Sequence, residues 1–355
     1  MTVSPWLRLL LRHHFAVSPG RVPMAFMVTL LSLANSAAAA VQRARWSREL
    51  AAAAVDPPPL FIIGHWRTGT TLLHELLALD PQFRCPTTYE CMAPAHFLLT
   101  RDAVTRHLGG LLPPHRPLDA MRLRWHLPQE DEFALMSLGM PSPYEALAFP
   151  RTSPAAQAAL DPRAWAEADR LRWQQALDGF LRIIALSGRA RPVLKGPCHT
   201  ARLGLLAEMY PGAIFIHTVR RPEEMVASFL IAWRRLVAAV GLQTRLRPDF
   251  DGRLLDLGAA LYRRFEADRE SLSPARLIEV RFEDLSADPA AVLDRIYAAF
   301  GMPHRDRIPD MVRSYRQAVG DYRPLRPSPP EALRPAITAR WGAYADRYGY
   351  RPGPS

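Results

Sequence analysis

The sequence predicts an α/β fold in which a parallel β-sheet is flanked by helices, with a mostly helical insertion and a helical N-terminal leader. The apolar run 60–63, which ends at Gly64, is typical of a buried parallel strand. The next segment, 70–79, has the apolar spacing of a helix. Because this alternation returns three more times before Phe300, we expect a parallel sheet with helices on both faces.

Each predicted element follows from the same two patterns. Short apolar runs predict further strands at 192–195, 213–219 and 277–280, and helical spacing follows them at 200–209, from Glu223, and at 290–300. No strand pattern occurs between about 81 and 191, which predicts a helical insertion. The expected organisation is a leader at 1–55, a proline-rich linker at 56–59, a main domain at 60–303 and an Arg/Pro-rich extension at 304–355 that packs on that domain.

Composition limits the classes of ligand and the cellular compartment that we expect. With 49% hydrophobic and 22% charged residues, the 355-residue chain is neither disordered nor fibrous. Its formal charge of +11 favours an anionic partner, either a nucleotide, an acidic substrate, a polyanion or an anionic membrane. Cys85, Cys91 and Cys198 form no C-x-x-C pair, so we expect free thiols in a reducing, cytoplasmic compartment, with neither a zinc site nor a disulfide framework.

The leader has an apolar run, 24–33, that follows Arg8, Arg12 and Arg21. We expect a packed helix here first, and a membrane-surface helix second, which allows peripheral membrane contact through residues 1–45. A cleaved signal or a membrane span are further alternatives.

A glycine-rich loop carries the predicted chemistry. Gly64 and Gly69 have the G-x-x-x-x-G spacing of a phosphate loop, between a predicted strand and a predicted helix. Loop N–H groups and the helix N-terminus then converge on one anion, and hydroxyls follow the second glycine. Threonine stands where a nucleotide kinase has lysine, and the cation is instead Arg67, inside the loop. The predicted anion-binding residues here are Gly64, His65, Trp66, Arg67, Thr68, Gly69, Thr70 and Thr71.

Two blocks together resemble the sulfotransferase family. The run 67–71, Arg-Thr-Gly-Thr-Thr, is similar to the family's 5′-phosphosulfate loop. Arg220, which ends a predicted strand, precedes Arg221-Pro222, and Ser228 follows eight positions after Arg220, as in the family's 3′-phosphate element. Independently of the resemblance, an arginine at the carboxyl end of a strand suits a phosphate.

The resemblance extends to the end of the main domain and implies an activity. The segment 281–285, Arg-Phe-Glu-Asp-Leu, and the run 300–303 resemble family blocks, with the greatest likeness to bacterial and tyrosylprotein sulfotransferases. The resemblance implies transfer of a sulfuryl group from 3′-phosphoadenosine 5′-phosphosulfate, without a metal, to a hydroxyl or amine. The acceptor class stays open among small molecules, glycans, lipids and peptides; we expect no nucleic acid, and the oligomeric state is not predicted.

The only lysine, Lys195, lies after a predicted strand in a chain that otherwise uses arginine. A compact ammonium suits the bridging oxygen of a leaving phosphate, and the resemblance to the family's K-x-P block agrees. Arg67 and Lys195 are therefore both candidate catalytic residues, with chance retention as the alternative for the lysine.

A sulfuryl transfer to a hydroxyl also needs a general base, and three places supply one. Glu90 lies where the tyrosylprotein type has its catalytic glutamate, although the spacing from Arg67 is about two residues longer. Glu130 and Glu132 form an acidic cluster in the insertion, which is equally typical of a helix N-terminus. His199 follows Lys195, and its alternative role is structural.

Two other functions compete with sulfuryl transfer. A P-loop phosphotransferase shares the loop but needs a lysine after Gly69 and magnesium ligands. A non-enzymatic polyanion- or membrane-binding protein fits the charge and the leader but gives no reason for the Arg220–Ser228 spacing.

Overall fold

The structure is a computed structural model, and five parallel strands form its sheet. It describes residues 1–119, 121–153, 156–186, 188, 190–320 and 327–350. The strands are β1 (Leu60–Gly64), β2 (Phe83–Arg84), β3 (Arg191–Lys195), β4 (Ile214–Val219) and β5 (Leu277–Arg281). Their order is β2-β3-β1-β4-β5, with all pairs parallel. The α/β fold with a parallel sheet is therefore confirmed.

Strand β1 shows why these residues form a central strand. Side chains on a strand alternate between its two faces. Leu60 and Ile62 join a core with the helix after β1 and the helices after β5, whereas Phe61 and Ile63 join a second core with Leu194 and the helices before and after β3. All four side chains are fully buried, so a continuous apolar run is what this position requires.

Helices cover both faces of the sheet and form most of the chain outside it. In chain order they are α1 (Val3–Arg12), α2 (Val22–Ala52), α3 (Thr70–Leu77), α4 (Thr88–Met92), α5 (Phe97–His107), α6 (Glu132–Ser137), α7 (Glu145–Ala148), α8 (Glu167–Ala185), α9 (Leu203–Met209), α10 (Pro222–Val240), α11 (Phe250–Arg269), α12 (Phe282–Ala287), α13 (Pro289–Ala299), α14 (Ile308–Val319) and α15 (Arg334–Arg347). Short 3₁₀ turns join several of them, including Pro197–Arg202, where the sequence predicted the start of a regular helix.

Two expectations differ from the structure. The region 81–191 is helical as predicted but also contains β2, an edge strand of two residues that is too short to leave a periodic pattern. The leader is helical, but α2, which packs on α1, α5 and α8, leaves most of its surface exposed. The helical segment Pro19–Ala52 is long and apolar enough to cross a membrane, and 11% of its most apolar part is buried.

The C-terminal extension contributes two helices. Helix α14 contacts α3 and α13, and α15 contacts α10 and α11. The parts of the predicted extension at 321–326 and 351–355 lie outside the described residues.

Candidate functional site

The site lies at the carboxyl edge of the sheet. Gly64, Lys195 and Val219 end the adjacent strands β1, β3 and β4 at this edge, where open α/β sheets bind their ligands. A cavity of about 460 Å³ opens there, which we call the acceptor cavity. Its lining includes loop residues and Arg220 at one end and a face of α10 along its length.

The two loop glycines are required by close contacts. Gly64 has φ +143°, and a Cβ there would lie 2.4 Å from the Thr218 hydroxyl oxygen. Gly69 has φ +88°, and a Cβ would lie 2.5 Å from the Phe282 ring. Arg67 also has a left-handed backbone, with φ +70°, which is uncommon for a non-glycine residue and is often found at functional sites.

The structure brings the two predicted anion-binding blocks together. The Arg67 Nε donates to the Ser228 hydroxyl over 3.0 Å, and an Arg220 Nη donates to the Arg67 carbonyl over 3.1 Å. Arg220 also lies 4.3 Å above the Phe282 ring and pairs with Glu224 at 2.8 Å. Ser228 and Arg220 are both buried, so their positions are fixed by packing.

A tyrosine from the C-terminal extension holds Arg220 in place. The Tyr344 hydroxyl accepts from the Arg220 N–H over 2.9 Å and donates to the Arg220 carbonyl over 3.0 Å. Burial raises the pKa of Tyr344 well above its ordinary value, so the hydroxyl remains a donor. Tyr344 is not among the residues predicted from the sequence, since a lone tyrosine in a tail carries no motif.

Asp119, an acidic residue that was not predicted from the sequence, contacts the loop arginine Arg67. Asp119 accepts from Arg67 over 2.7 Å and forms a fork of two hydrogen bonds with Arg116. Burial by itself raises the pKa of Asp119, but the Arg116 and Arg67 guanidiniums outweigh it and leave that pKa below its ordinary value. Asp119 is therefore a carboxylate that competes with other anions for Arg67.

Glu130 faces the acceptor cavity beside the loop. Its Oε1 accepts from the Lys195 ammonium over 2.6 Å, and Lys195 also reaches the Thr71 hydroxyl at 3.4 Å. Its Oε2 accepts from the Tyr144 hydroxyl, which in turn accepts from the Trp66 indole N–H over 3.0 Å. Burial, and then the Glu130 charge, raise the pKa of Tyr144 well above its ordinary value, so this hydroxyl is a donor to Glu130.

Glu90 lies in different surroundings. Its carboxylate is fully buried and accepts from Arg84, from Arg101 over 3.1 Å and from the Thr87 backbone N–H over 2.8 Å. The Thr87 side chain completes a capping box at the start of α4. Glu90 lines a separate cleft together with Arg84 and Arg101, not the acceptor cavity.

The remaining candidates have structural partners. Glu132 forms two hydrogen bonds with Arg202, at 2.6 and 3.2 Å, and both side chains are fully buried. His199 pairs with the buried Asp131 at 2.6 Å. His65 contacts the Trp66 carbonyl at 2.8 Å behind the loop, and burial lowers its pKa to about 4. None of these three lines the acceptor cavity.

The donors at the loop end suit an anion. Arg67, Arg220, Lys195 and the hydroxyls of Thr71 and Ser228 supply positive charge and O–H groups, which bind sulfate and phosphate oxygens. Among the described residues, no three His, Cys, Asp or Glu side chains are grouped to hold a metal ion.

Comparison with known proteins gives the site its context. Residues 58–307 match the model of the family described as "Sulfotransferase family". The omega-hydroxy-beta-dihydromenaquinone-9 sulfotransferase Stf3 of Mycobacterium bovis and that of Mycobacterium tuberculosis are each 38% identical over 350 residues, which is 98% of this chain and 89% of the relative.

Solved structures share the fold. The sulfotransferase STF9 from Mycobacterium avium aligns with a TM-score of 0.68 at 21% identity, covering 88% of this chain and 82% of the other. The sulfotransferase STF1 from Mycobacterium tuberculosis aligns with a TM-score of 0.65 at 20% identity, covering 96% and 92% of the two chains.

Proposed function

The chain belongs to the sulfotransferase family and transfers a sulfuryl group, and we propose that it moves this group from 3′-phosphoadenosine 5′-phosphosulfate to the hydroxyl of an elongated, lipid-like acceptor. Membership excludes the phosphotransferase and the non-enzymatic alternatives. The observation that carries the acceptor proposal is an apolar face of α10 that runs away from the loop along the acceptor cavity.

That face has the length and the character of a lipid-chain site. Five cavity-lining residues repeat along α10 at helical spacing; they are Phe229, Ala232, Trp233, Leu236 and Val240. From the first to the last is about 16 Å at 1.5 Å per residue. Phe229 is buried and Val240 is 47% exposed, so the face leads from the interior to the surface. The 38% identical relatives are named for a menaquinone derivative with an omega-hydroxyl, which agrees with such an acceptor.

The co-substrate supplies an activated sulfuryl group, and the residues at the loop end suit its two anionic groups. We assign the 5′-phosphosulfate to the loop 64–71 with Arg67, and the 3′-phosphate to Arg220 and Ser228. Tyr344 positions Arg220 through its backbone. The lone lysine, Lys195, is assigned to the charge that develops on the leaving phosphate.

We assign the general base to Glu130. As the acceptor oxygen bonds to sulfur and the sulfur–oxygen bond to the 5′-phosphate breaks, the hydroxyl proton passes to the Glu130 carboxylate. Lys195 and Tyr144 each hold one oxygen of that carboxylate, which fixes its orientation toward the cavity. The role of Glu90 as general base stays a prediction from the sequence, but its buried ion pairs favour a structural role.

Binding of the product nucleotide tests the co-substrate assignment. We expect 3′-phosphoadenosine 5′-phosphate to bind in EDTA, measured by calorimetry, because the donors are side chains and N–H groups. Arg220→Ala should remove the preference for the 3′-phosphorylated nucleotide over the plain one, whereas Arg67→Ala should weaken both; each lost charge-assisted bond costs about 1.5–3 kcal/mol. An Arg220 variant with unchanged selectivity would place the 3′ site elsewhere.

A series of primary alcohols tests the acceptor class. With sulfur-labelled co-substrate, we expect KM to fall as the alkyl chain lengthens, because each buried CH₂ contributes about 0.8 kcal/mol. Leu236→Ser should flatten this dependence, and Leu171→Ser, at an exposed position on α8, is its control. Efficient sulfation of sugars or tyrosine peptides with no dependence on chain length would contradict the lipid-like acceptor and leave sulfuryl transfer intact.

We also propose a cytoplasmic location. Cys85, Cys91 and Cys198 are free and buried, as is usual for a protein of a reducing compartment.

A further inference from the structure

The N-terminal segment 1–52 forms a helical hairpin, α1 with α2, whose outer surface is apolar. Its exposed large apolar side chains, each between 42% and 62% exposed, are Leu7, Leu11, Phe15, Val22, Phe26, Met27, Leu30, Leu31, Leu33 and Val41. These are ten of the sixteen exposed large apolar side chains in the described part of the chain, and such a concentration on one segment is unusual for a soluble monomer without a partner. The same segment carries six arginines and a single acid, Glu49.

The polar side chains in the middle of α2 face α1. The Ser36 hydroxyl accepts from the Val3 N–H over 2.9 Å, and the Asn35 amide donates to the Met1 carbonyl over 3.1 Å. The Thr29 hydroxyl accepts from the Trp6 indole over 2.9 Å. Because these groups are used within the hairpin, they do not interrupt the apolar outer surface.

Helix α2 is fastened to the main domain at its start and again at Gln42. Before its first turn, Ser18 donates to the Leu242 carbonyl over 2.9 Å and Arg21 donates to the Ala238 carbonyl over 2.5 Å. Further along the helix, the buried Gln42 accepts from the Leu99 N–H over 3.3 Å. Between these two points α2 lies along the protein surface, and its large apolar side chains there are exposed.

The turn between α1 and α2 contacts the last turns of α10. In these turns Leu236 and Val240 line the outer end of the acceptor cavity. Ala238, between them in sequence, accepts the hydrogen bond from Arg21 just before α2. The start of α2 therefore contacts the last turns of α10, the helix that also lines the cavity.

We propose that this hairpin docks on an anionic lipid bilayer and that the acceptor enters the cavity from that bilayer. The apolar side chains suit the boundary between headgroups and acyl chains, and the arginines suit anionic headgroups. The docking part rests on the hairpin alone, whereas the route of entry also rests on the lipid-like acceptor proposed above.

Vesicle sedimentation with the full chain tests the docking. We expect binding to phosphatidylcholine vesicles with about 30% phosphatidylglycerol, and weaker binding as salt rises, because surface attraction is screened. Phe26→Ser with Leu30→Ser should lower the bound fraction at least about tenfold. Arg43→Gln or Arg48→Gln, both exposed positions, should weaken binding by about fivefold each. Leu171→Ser, an equally exposed apolar position on α8, should change nothing.

The outcomes separate this proposal from the proposed function. All variants should keep their affinity for 3′-phosphoadenosine 5′-phosphate, which shows that they are folded. Equal binding of the Phe26/Leu30 variant and the unchanged protein, or a dimer in solution that this variant abolishes, would overturn docking on lipid. Loss of docking with full sulfation of a detergent-dispersed long-chain alcohol supports entry from the bilayer; absence of sulfation in detergent contradicts the acceptor class instead.

Discussion

Glu90 and Glu130 lie on two segments that pair with each other, yet their carboxylates meet different surroundings. Thr88 donates to the Leu127 carbonyl over 2.8 Å, and Gln129 donates to the Pro86 carbonyl over 2.9 Å. On one segment, Glu90 is fully buried among two guanidiniums and a backbone N–H. On the other, the Glu130 side chain is 16% exposed and faces the acceptor cavity.

The two carboxylates differ in their hydrogen-bond partners and in their access to the cavity. Both Glu90 oxygens accept strong hydrogen bonds from groups that are fixed in the fold, and the cleft that Glu90 lines includes no residue of the loop 64–71. Glu130 is held by one ammonium and one hydroxyl, and it borders the acceptor cavity. A general base must reach the proton that it removes, so access distinguishes two acids that are otherwise alike.

The sharpest test of this comparison is Glu130→Gln. Glutamine keeps the shape and a hydrogen-bond acceptor for Lys195 but cannot take the proton. We expect turnover to fall by about 10²–10⁴, the usual contribution of a general base, with nucleotide affinity within a few-fold. Single-turnover kinetics with labelled co-substrate measure turnover, and calorimetry measures nucleotide affinity. If Glu130→Gln retains turnover, the base lies elsewhere.

Lys195→Arg tests the partner of Glu130. The positive charge remains, but a planar guanidinium replaces a compact ammonium in a position that is 1% exposed. We expect turnover to fall by up to about 10²-fold through misplacement of the charge, with nucleotide affinity nearly unchanged. Steady-state kinetics check this, and unchanged turnover would return Lys195 to a structural role.

Glu90→Gln should act on stability instead. The change removes the charge that Arg84 and Arg101 share, so we expect the free energy of unfolding to fall by about 1–3 kcal/mol. Turnover of the folded protein should be nearly unchanged. Denaturant unfolding and kinetics on the same preparation decide this. A large loss of turnover here, with activity kept in Glu130→Gln, would reverse the two assignments.

Asp119→Asn should give the smallest effect. Asparagine keeps the size but removes the carboxylate that competes for Arg67, so we expect affinity for 3′-phosphoadenosine 5′-phosphate to rise about two- to fivefold. Asp102→Asn, which removes the same charge at an exposed position, is the matched control in calorimetry. A fall in affinity would mean that Asp119 orients Arg67 for the nucleotide.

The sequence by itself determined the parts of this protein that are local. Gly64 and Gly69 mark the loop because their backbone and close contacts admit no side chain. The strands β1, β3, β4 and β5 were predicted to within one or two residues at their ends, because a buried parallel strand must be apolar on both faces. Arg220 and Ser228 were singled out because their spacing resembles the family's 3′-phosphate element, and both lie against Arg67 in the structure.

Only the tertiary structure decided which acid faces the cavity and what surrounds the loop arginine. Glu130 meets Lys195 across 65 positions of sequence, and Arg67 meets Asp119 across 52. Each contact has at least one partner in an irregular segment, where side-chain directions follow no period, so no local pattern predicts it. Tertiary contacts likewise decided which side chains of the leader are exposed. The polar residues of α2 face α1, and this leaves an apolar surface that composition alone does not distinguish from a packed core.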